Sequence, residues 1–299
     1  MKIFYIGDFT QEWNEEGIAL AFERLGHEVV RYQEGAEGRV LDWIKRAKPD
    51  FLIWAKLKFI SEKDAEEMIA YCKENRITTA CWVWDLYFGL TRGHQVGKKQ
   101  MFKGDFFFNP DGGHQENFDR AGVNNYTLRQ AISKTYCYEG KYQEQYDYDV
   151  IFVGSENAQW KYREKMCMWL EDNYKFKRFG HRFGEKIYGH KLNNLYSSAK
   201  IVMGDSVYSP HYWSNRLYEV LGRGGFLIHP DIPGLSDEYT PYEHYIPYRM
   251  NDFKGLKEKI DHFLKKPAER AKISRSALYY TKDNHTLEQR CQKLLEFAM

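Results

Sequence analysis

The chain predicts an α/β fold built from two consecutive doubly wound sheets, and three observations carry that expectation. Short apolar runs of strand length recur along the 299 residues, and most are followed by a stretch of helical periodicity. Several runs close on a glycine or an acid, as at Gly7, Asp85 and Gly154. A polar, tyrosine-rich stretch, residues 136–149, interrupts the alternation near mid-chain and reads as the crossing between domains. The length suits two ordinary domains.

In chain order, KIFYIG (2–7) is an apolar strand, 8–14 a loop and 15–25 a helical stretch closed by Gly26. HEVVRY (27–32) is the next strand, and a strand–helix–strand opening implies parallel pairing with a right-handed crossover. A helix at 38–47, the buried strand DFLIWA and a charged helix at 62–75 follow. ITTACWVWD (77–85) is a strand that places Asp85 at its carboxyl end, where open α/β sheets keep their ligands. DFFFNP (105–110) is another strand, and a helix lies around 115–121. The second half starts with the strand DVIFVGS (149–155), a helix at 159–172 and a short strand at 175–181. Helix 191–198, the strand KIVMGDS and a last short strand, HYIPYR (244–249), come next, with helices at 251–265, 267–280 and 284–297. The expected domains are 1–145 and 146–299, facing across a cleft, the last helix packing back on the first domain. Such a cleft is a default ligand site.

The totals exclude several classes. With 44 Lys and Arg against 42 Asp and Glu, no global field draws the chain to nucleic acid or membrane. Five cysteines with no CxxC fit a reduced, cytoplasmic protein. MKIFYIGD enters a strand directly, so no signal peptide is expected, and no apolar run nears the roughly 18 residues of a membrane span. The opening β-α-β lacks GxGxxG, which argues against a dinucleotide site.

The stretch HYWSNRLYEVLGRGGFLIHPDIPGL (211–235) organises the second half. Ser214 is placed to cap a helix over 215–221, and Gly222, Gly224 and Gly225 end that helix. FLIH (226–229) reads as a buried strand stopped by Pro230. A helix start with open amides is an anion site, and Arg216 in its first turn adds charge. Glu219 shares a face with Asn215 and Arg216, one turn below, where a carboxylate suits the two hydroxyls of a ribose. The structural alternative is a core helix in which Glu219 pairs with Arg216 or Arg223.

AKIVMGDS, NRLYEVLGRGGFLIHPDIPGLSDEY, LKEKIDHFLKKPAERAKIS and NHTLEQRCQKLL together resemble the second domain of GT-B glycosyltransferases, which have two Rossmann-like domains. The likeness is to glycosyltransferase group 1 and the relatives of the spore-maturation protein CgeB. MKIFYIGD, ERLGHEVVRY, WVWD and NPDGGHQENFDRAGVNNYTLRQAI extend it more loosely over the first half. The resemblance implies transfer of a sugar from a nucleotide donor, of UDP type, to an acceptor hydroxyl. It implies that Glu219 grips the ribose, that Asn215 and Arg216 lie on the diphosphate side, and that Tyr188, Gly189 and His190 lie at the nucleobase. It implies that Ser155 borders the donor. The family's Glu-x7-Glu is broken, because His211 stands eight residues before Glu219.

In this fold the leaving diphosphate is neutralised by amides and cations without a metal, so no cofactor or metal is expected beyond the nucleotide sugar. The single Asp-x-Asp, Asp147 and Asp149, lies in the crossing segment. A base for the acceptor would come from Asp85 or His94, with Asp8 a third choice. Their structural alternatives are a cap or a pair with Arg92 for Asp85, and a solvated loop for His94. The basic loop TRGHQVGKKQMFKG suits an anionic acceptor, so the expected partners are a glycan, a protein, a small molecule or a hydroxymethylated DNA base. Two other readings fit the same residues: a sugar-nucleotide epimerase or hydrolase, and a non-catalytic sugar or nucleic-acid binding module.

Overall fold

A computed structural model describes residues 1–10, 14–155, 161–180 and 185–297. Part of the loop expected at 8–14, the start of the helix expected at 159–172, and His181 fall outside the described residues. The chain divides into two units: Met1–Ser133 with Leu287–Met299, and Lys134–Thr286.

The first unit contains β1 (Lys2–Gly7), α1 (Asn14–Arg24), β2 (Glu28–Gln33), α2 (Val40–Ala47) and β3 (Phe51–Trp54). It continues with α3 (Glu62–Glu74), β4 (Thr78–Trp82), β5 (Phe106–Asn109), α4 (Gln115–Arg120) and β6 (Asn125–Thr127). The strands form one parallel sheet in the order β2-β1-β3-β4-β5-β6. All four residues of β3, FLIW, are buried, as a strand covered on both faces requires. Ser61 caps α3 by accepting the Asp64 amide at 3.0 Å. Two apolar clusters cover the sheet, one on Phe4, Ile6, Leu52 and Trp54, the other on Ile3, Tyr5, Phe51 and Trp82.

The second unit contains β7 (Val150–Val153), α5 (Lys161–Asn173), β8 (Phe176–Phe179), α6 (Gly189–Ser198) and β9 (Ile201–Met203). It continues with α7 (Arg216–Leu221), β10 (Leu227–Pro230), β11 (Ile246–Tyr248), α8 (Phe253–Leu264) and α9 (Pro267–Asn284). Its parallel sheet runs β11-β10-β9-β7-β8. The last helix, α10 (Leu287–Leu295), belongs to the first unit: Leu287, Cys291, Leu294 and Leu295 pack with Ile18, Ala19 and Phe22 of α1.

Three local readings change. Ser214 is not the side-chain cap of α7; Asn215 holds that position in helical backbone with no capping bond from its side chain, and the Ser214 hydroxyl points to the Asp205 carbonyl at 3.5 Å. The strand expected at 226–229 runs one residue further, because Pro230 pairs with Tyr248 and the next amide, Asp231, donates to the Tyr248 carbonyl at 2.8 Å. Residues 134–145, grouped with the first half in the sequence, pack on α6 of the second unit. Gly140 and Gln143 amides donate to Ser197 and Ser198 hydroxyls at 2.8 Å, and Asn193 donates to the Tyr136 and Tyr138 carbonyls.

That strap leaves no room for a side chain at Gly140, whose Cβ would overlap the backbone of Asn193 and Asn194. Gly140→Ala is expected to lower stability by about 2 kcal/mol, the usual scale of overpacking. Urea denaturation measures it, and an unchanged midpoint would show that the strap gives way freely.

Candidate functional site

The sheet of the second unit changes direction at β7. The chain moves from β7 outward to β8, then crosses back to β9 on the other side. Loops leaving β7 and β9 therefore diverge, and the crevice outside their carboxyl ends is where such sheets bind ligands.

Arg216, the first residue of α7, reaches across both strand ends. Its Nε donates to the Val153 carbonyl at 2.6 Å, and its Nη1 donates to the Asp205 carbonyl at 3.2 Å and to the Asp205 carboxylate. Gly154 permits this passage, since a Cβ there would meet Arg216 Nη2 at 2.5 Å. Arg163 of α5 grips the same carboxylate through Nε at 2.5 Å and Nη2 at 3.3 Å, and it donates to the Ser155 carbonyl at 2.5 Å. Both guanidiniums lie over the Phe152 ring, at 4.5 and 5.3 Å from its centre. Asp205 is only 2% exposed. Burial alone would raise its carboxyl, but Arg216 and Arg163 together hold it below the usual carboxylate range. Two guanidiniums are thus fixed on one buried carboxylate at the crevice.

A second group stands beside the first. Glu219 accepts from Arg223 Nε at 2.8 Å and faces Asn215 Nδ2 at 3.4 Å. Buried Arg223 donates to the Gly189 carbonyl at 2.9 Å and to the Asn193 side chain, and lies 4.7 Å from the Tyr136 ring centre. Glu219 is thus both ion-paired, as the structural alternative allowed, and gathered with the start of α6. Tyr188 sits at the cap of that helix with its ring half exposed, Gly189 opens the helix at φ 55°, and His190 Nδ1 faces the Tyr138 hydroxyl.

His211 has a left-handed backbone, φ 58°, and its amide donates to the Pro233 carbonyl at 2.8 Å. Its ring lies against Gly234. The loops at 211 and 233–234 therefore hold each other. A non-glycine residue in this region costs on the order of 1 kcal/mol and persists where its surroundings fix it.

Three residues of this site carry no sequence flag above: Arg163, Asp205 and His229. Asp205 follows a strand just as Asp85 does, and that signal marks it. His229 lies in β10, fully buried, with Nδ1 donating to the Pro230 carbonyl at 2.9 Å and Nε2 without a partner among the described residues. Burial pushes its pKa down to about 4, so the ring is neutral.

In the first unit, Asp85 follows β4 and is held by Lys56 and by Arg92, the latter at 2.9 Å. Burial would raise its carboxyl, but these two cations win and lower it. Asp85 lines a cavity of about 350 Å³ at the carboxyl ends of β1 to β4, together with Asp8, Glu15 and Glu34. His94 does not line it; it is exposed on a short 3-10 turn, Gly93–Gln95. Asp149 of the Asp-x-Asp pairs with Lys200 at 2.7 Å. No helix among the described residues is long and apolar enough to cross a membrane.

No curated protein sequence matches the chain. Solved structures do match in fold. HepE from Anabaena in complex with UDP-glucose aligns over 99% of each chain with TM-score 0.66 and 10% identity. An alpha-glucosyltransferase in complex with UDP and a 13-mer DNA containing a HMU base aligns over 100% of this chain and 99% of its own, with TM-score 0.72 and 10% identity. Sucrose-phosphate synthase from Thermosynechococcus elongatus aligns over 99% and 98%, with TM-score 0.64 and 10% identity. The fold is GT-B, with two Rossmann-like domains. The family model described as glycosyl transferase-like matches residues 140–296. That is more than half of the sequence, and it takes in the whole crevice around Arg163, Asp205, Arg216 and Glu219: the chain belongs to the glycosyl transferase-like family.

Proposed function

We propose that this glycosyltransferase takes its sugar from a UDP-type donor held by the second unit, and passes it to an acceptor hydroxyl without a metal. One observation carries the reading: the Arg163–Asp205–Arg216 group fixes two largely buried guanidiniums at the carboxyl ends of β7 and β9. A rigid cation already stripped of water stabilises a leaving diphosphate without reorganising. Around it, Ser155, Ser214, Asn215 and His211 border the donor, Glu219 takes the ribose, and Tyr188, Gly189 and His190 take the base. Asp85 serves the acceptor side by holding Lys56 and Arg92 in place, whereas His94, exposed and outside the cavity that Asp85 lines, is given no part in it. HepE was solved with UDP-glucose, a donor of the kind proposed, and the DNA-bound alpha-glucosyltransferase with UDP, the nucleotide such a donor leaves behind.

A thermal-shift panel of UDP, UDP-glucose, ADP and GDP tests this. A UDP-type ligand at a hundred times its Kd is expected to stabilise the fold by about 2.7 kcal/mol, with EDTA making no difference. Glu219→Ala is expected to abolish that increment. Because the same change unpairs buried Arg223, the readout is the ligand-induced rise and not the melting temperature itself. A mutant that responds in full would remove Glu219 from the site. Release of free sugar with acceptor having no effect would mark a hydrolase instead.

A further inference from the structure

We propose that the cavity at the carboxyl ends of β1 to β4 seats an uncharged, hydroxyl-bearing ring as the acceptor, and that Glu15 accepts the hydrogen bond of its hydroxyl. The inference rests on the transfer reading above and adds the class of acceptor and the residue that reads it.

The charge of the cavity comes first. Among the described residues its lining carries the carboxylates of Asp8, Glu15, Glu34 and Asp85 against the ammoniums of Lys56 and Lys58, with the Arg92 guanidinium also on Asp85. Such a surplus of negative charge opposes a phosphate or carboxylate and suits a neutral guest. Size and shape agree. At about 350 Å³ the space fits one sugar or base ring, the lower end of ordinary ligand pockets. Trp82 and Trp84 contribute apolar surface, and Phe59 stands at the lining with its ring 71% exposed, available for stacking. The Trp84 indole N–H is buried with no partner among the described residues.

The four carboxylates are not equivalent. Asp8 accepts from the Thr10 hydroxyl at 2.5 Å and from Gln33 at 3.2 Å. Glu34 accepts the Phe59 amide at 2.9 Å and so holds the loop after β3. Asp85 is taken by Lys56 and Arg92. Glu15 alone of the four has no bond to another described residue; it bonds only its own amide. Its side chain lies against Gly7, at the end of β1. Burial pushes its carboxyl above the ordinary range, with Asp8 and Asp85 adding to the rise and Lys56 opposing it. A half-buried carboxylate without a partner is what a hydroxyl donor would satisfy, and a hydrogen bond to a charged group contributes roughly 1.5–3 kcal/mol.

A saccharide and a hydroxymethylated nucleobase both present this chemistry, so the test separates them. Tryptophan fluorescence of the full chain with UDP bound is titrated with glucose, maltose, glucose 6-phosphate and an uncharged nucleoside carrying a hydroxymethylated base. At least one uncharged probe is expected to bind, and the phosphate ester at least tenfold more weakly than glucose. Glu15→Gln is expected to weaken the uncharged probe 10- to 100-fold while the UDP-induced thermal shift stays intact, which also reports that the variant folds. Equal binding by Glu15→Gln, phosphate ester as tight as the neutral sugar, or no response to any uncharged probe would each overturn the inference. A wild-type protein that UDP does not stabilise would sink the donor reading instead, so the two failures are distinct.

Discussion

Asp205→Ala is expected to unfold at far lower urea than the wild type, with a loss of about 3–5 kcal/mol, the cost of breaking a buried ion group by removing one partner. The magnitude follows from what is left behind. Arg163 and Arg216 have side chains only 10 and 11% exposed, and Asp205 is a carboxylate that both of them share. Without it, both guanidiniums lose the buried carboxylate they share over the Phe152 ring. Arg216 keeps its bond to the Val153 carbonyl, and Arg163 its bond to the Ser155 carbonyl. Carbonyls stabilise a cation far less than a carboxylate does, so these two bonds offset little of the loss. Asp205→Asn should be milder, because an amide oxygen still accepts one of the donors. An Asp205→Ala midpoint within 0.5 kcal/mol of wild type would show that the strand ends are held by something else.

The second large effect is in pH. The His229 pKa lies at about 4 in the folded chain against an ordinary 6.5, and burial is the cause. A histidine whose folded value is the lower one takes its proton more readily when unfolded. Stability is therefore complete above pH 6.5 and is lost as pH falls toward 4. One proton corresponds to about 1.4 kcal/mol per pH unit, so the full descent is about 3 kcal/mol. His27 and His244 are also lowered by burial, so the informative quantity is the difference between wild type and His229→Leu. The variant should lose most of the slope between pH 6.5 and 4, whatever its absolute stability. Parallel curves for the two proteins would mean that His229 titrates normally.

Much of the fold was legible because it is periodic. The apolar runs at 2–7, 51–54 and 150–153 and the helices between them sit close to their expected places. Asp85 was legible because a strand end is a local signal, and so was its pairing with Arg92, seven residues away. The pair of Glu219 with Arg223 needs only helical spacing. What stayed hidden has no local pattern. Arg163 meets Asp205 across 42 residues, and nothing in either neighbourhood announces the other. Ser214 carried the right chemistry for a cap, but Asn215 already has helical backbone. The strap at 134–145 looked like a linker because it is polar, yet that polarity is spent on α6: its amides bond to serine and asparagine side chains there.

The position of α10 has a consequence for how the chain is made. The surface of α1 around Ile18 and Phe22 is covered by Leu287, Cys291 and Leu294, residues near the very end of the sequence. During synthesis the amino-terminal unit therefore waits, its apolar flank open, while the unit nested inside it emerges entire. The half that is translated first is the half that is completed last.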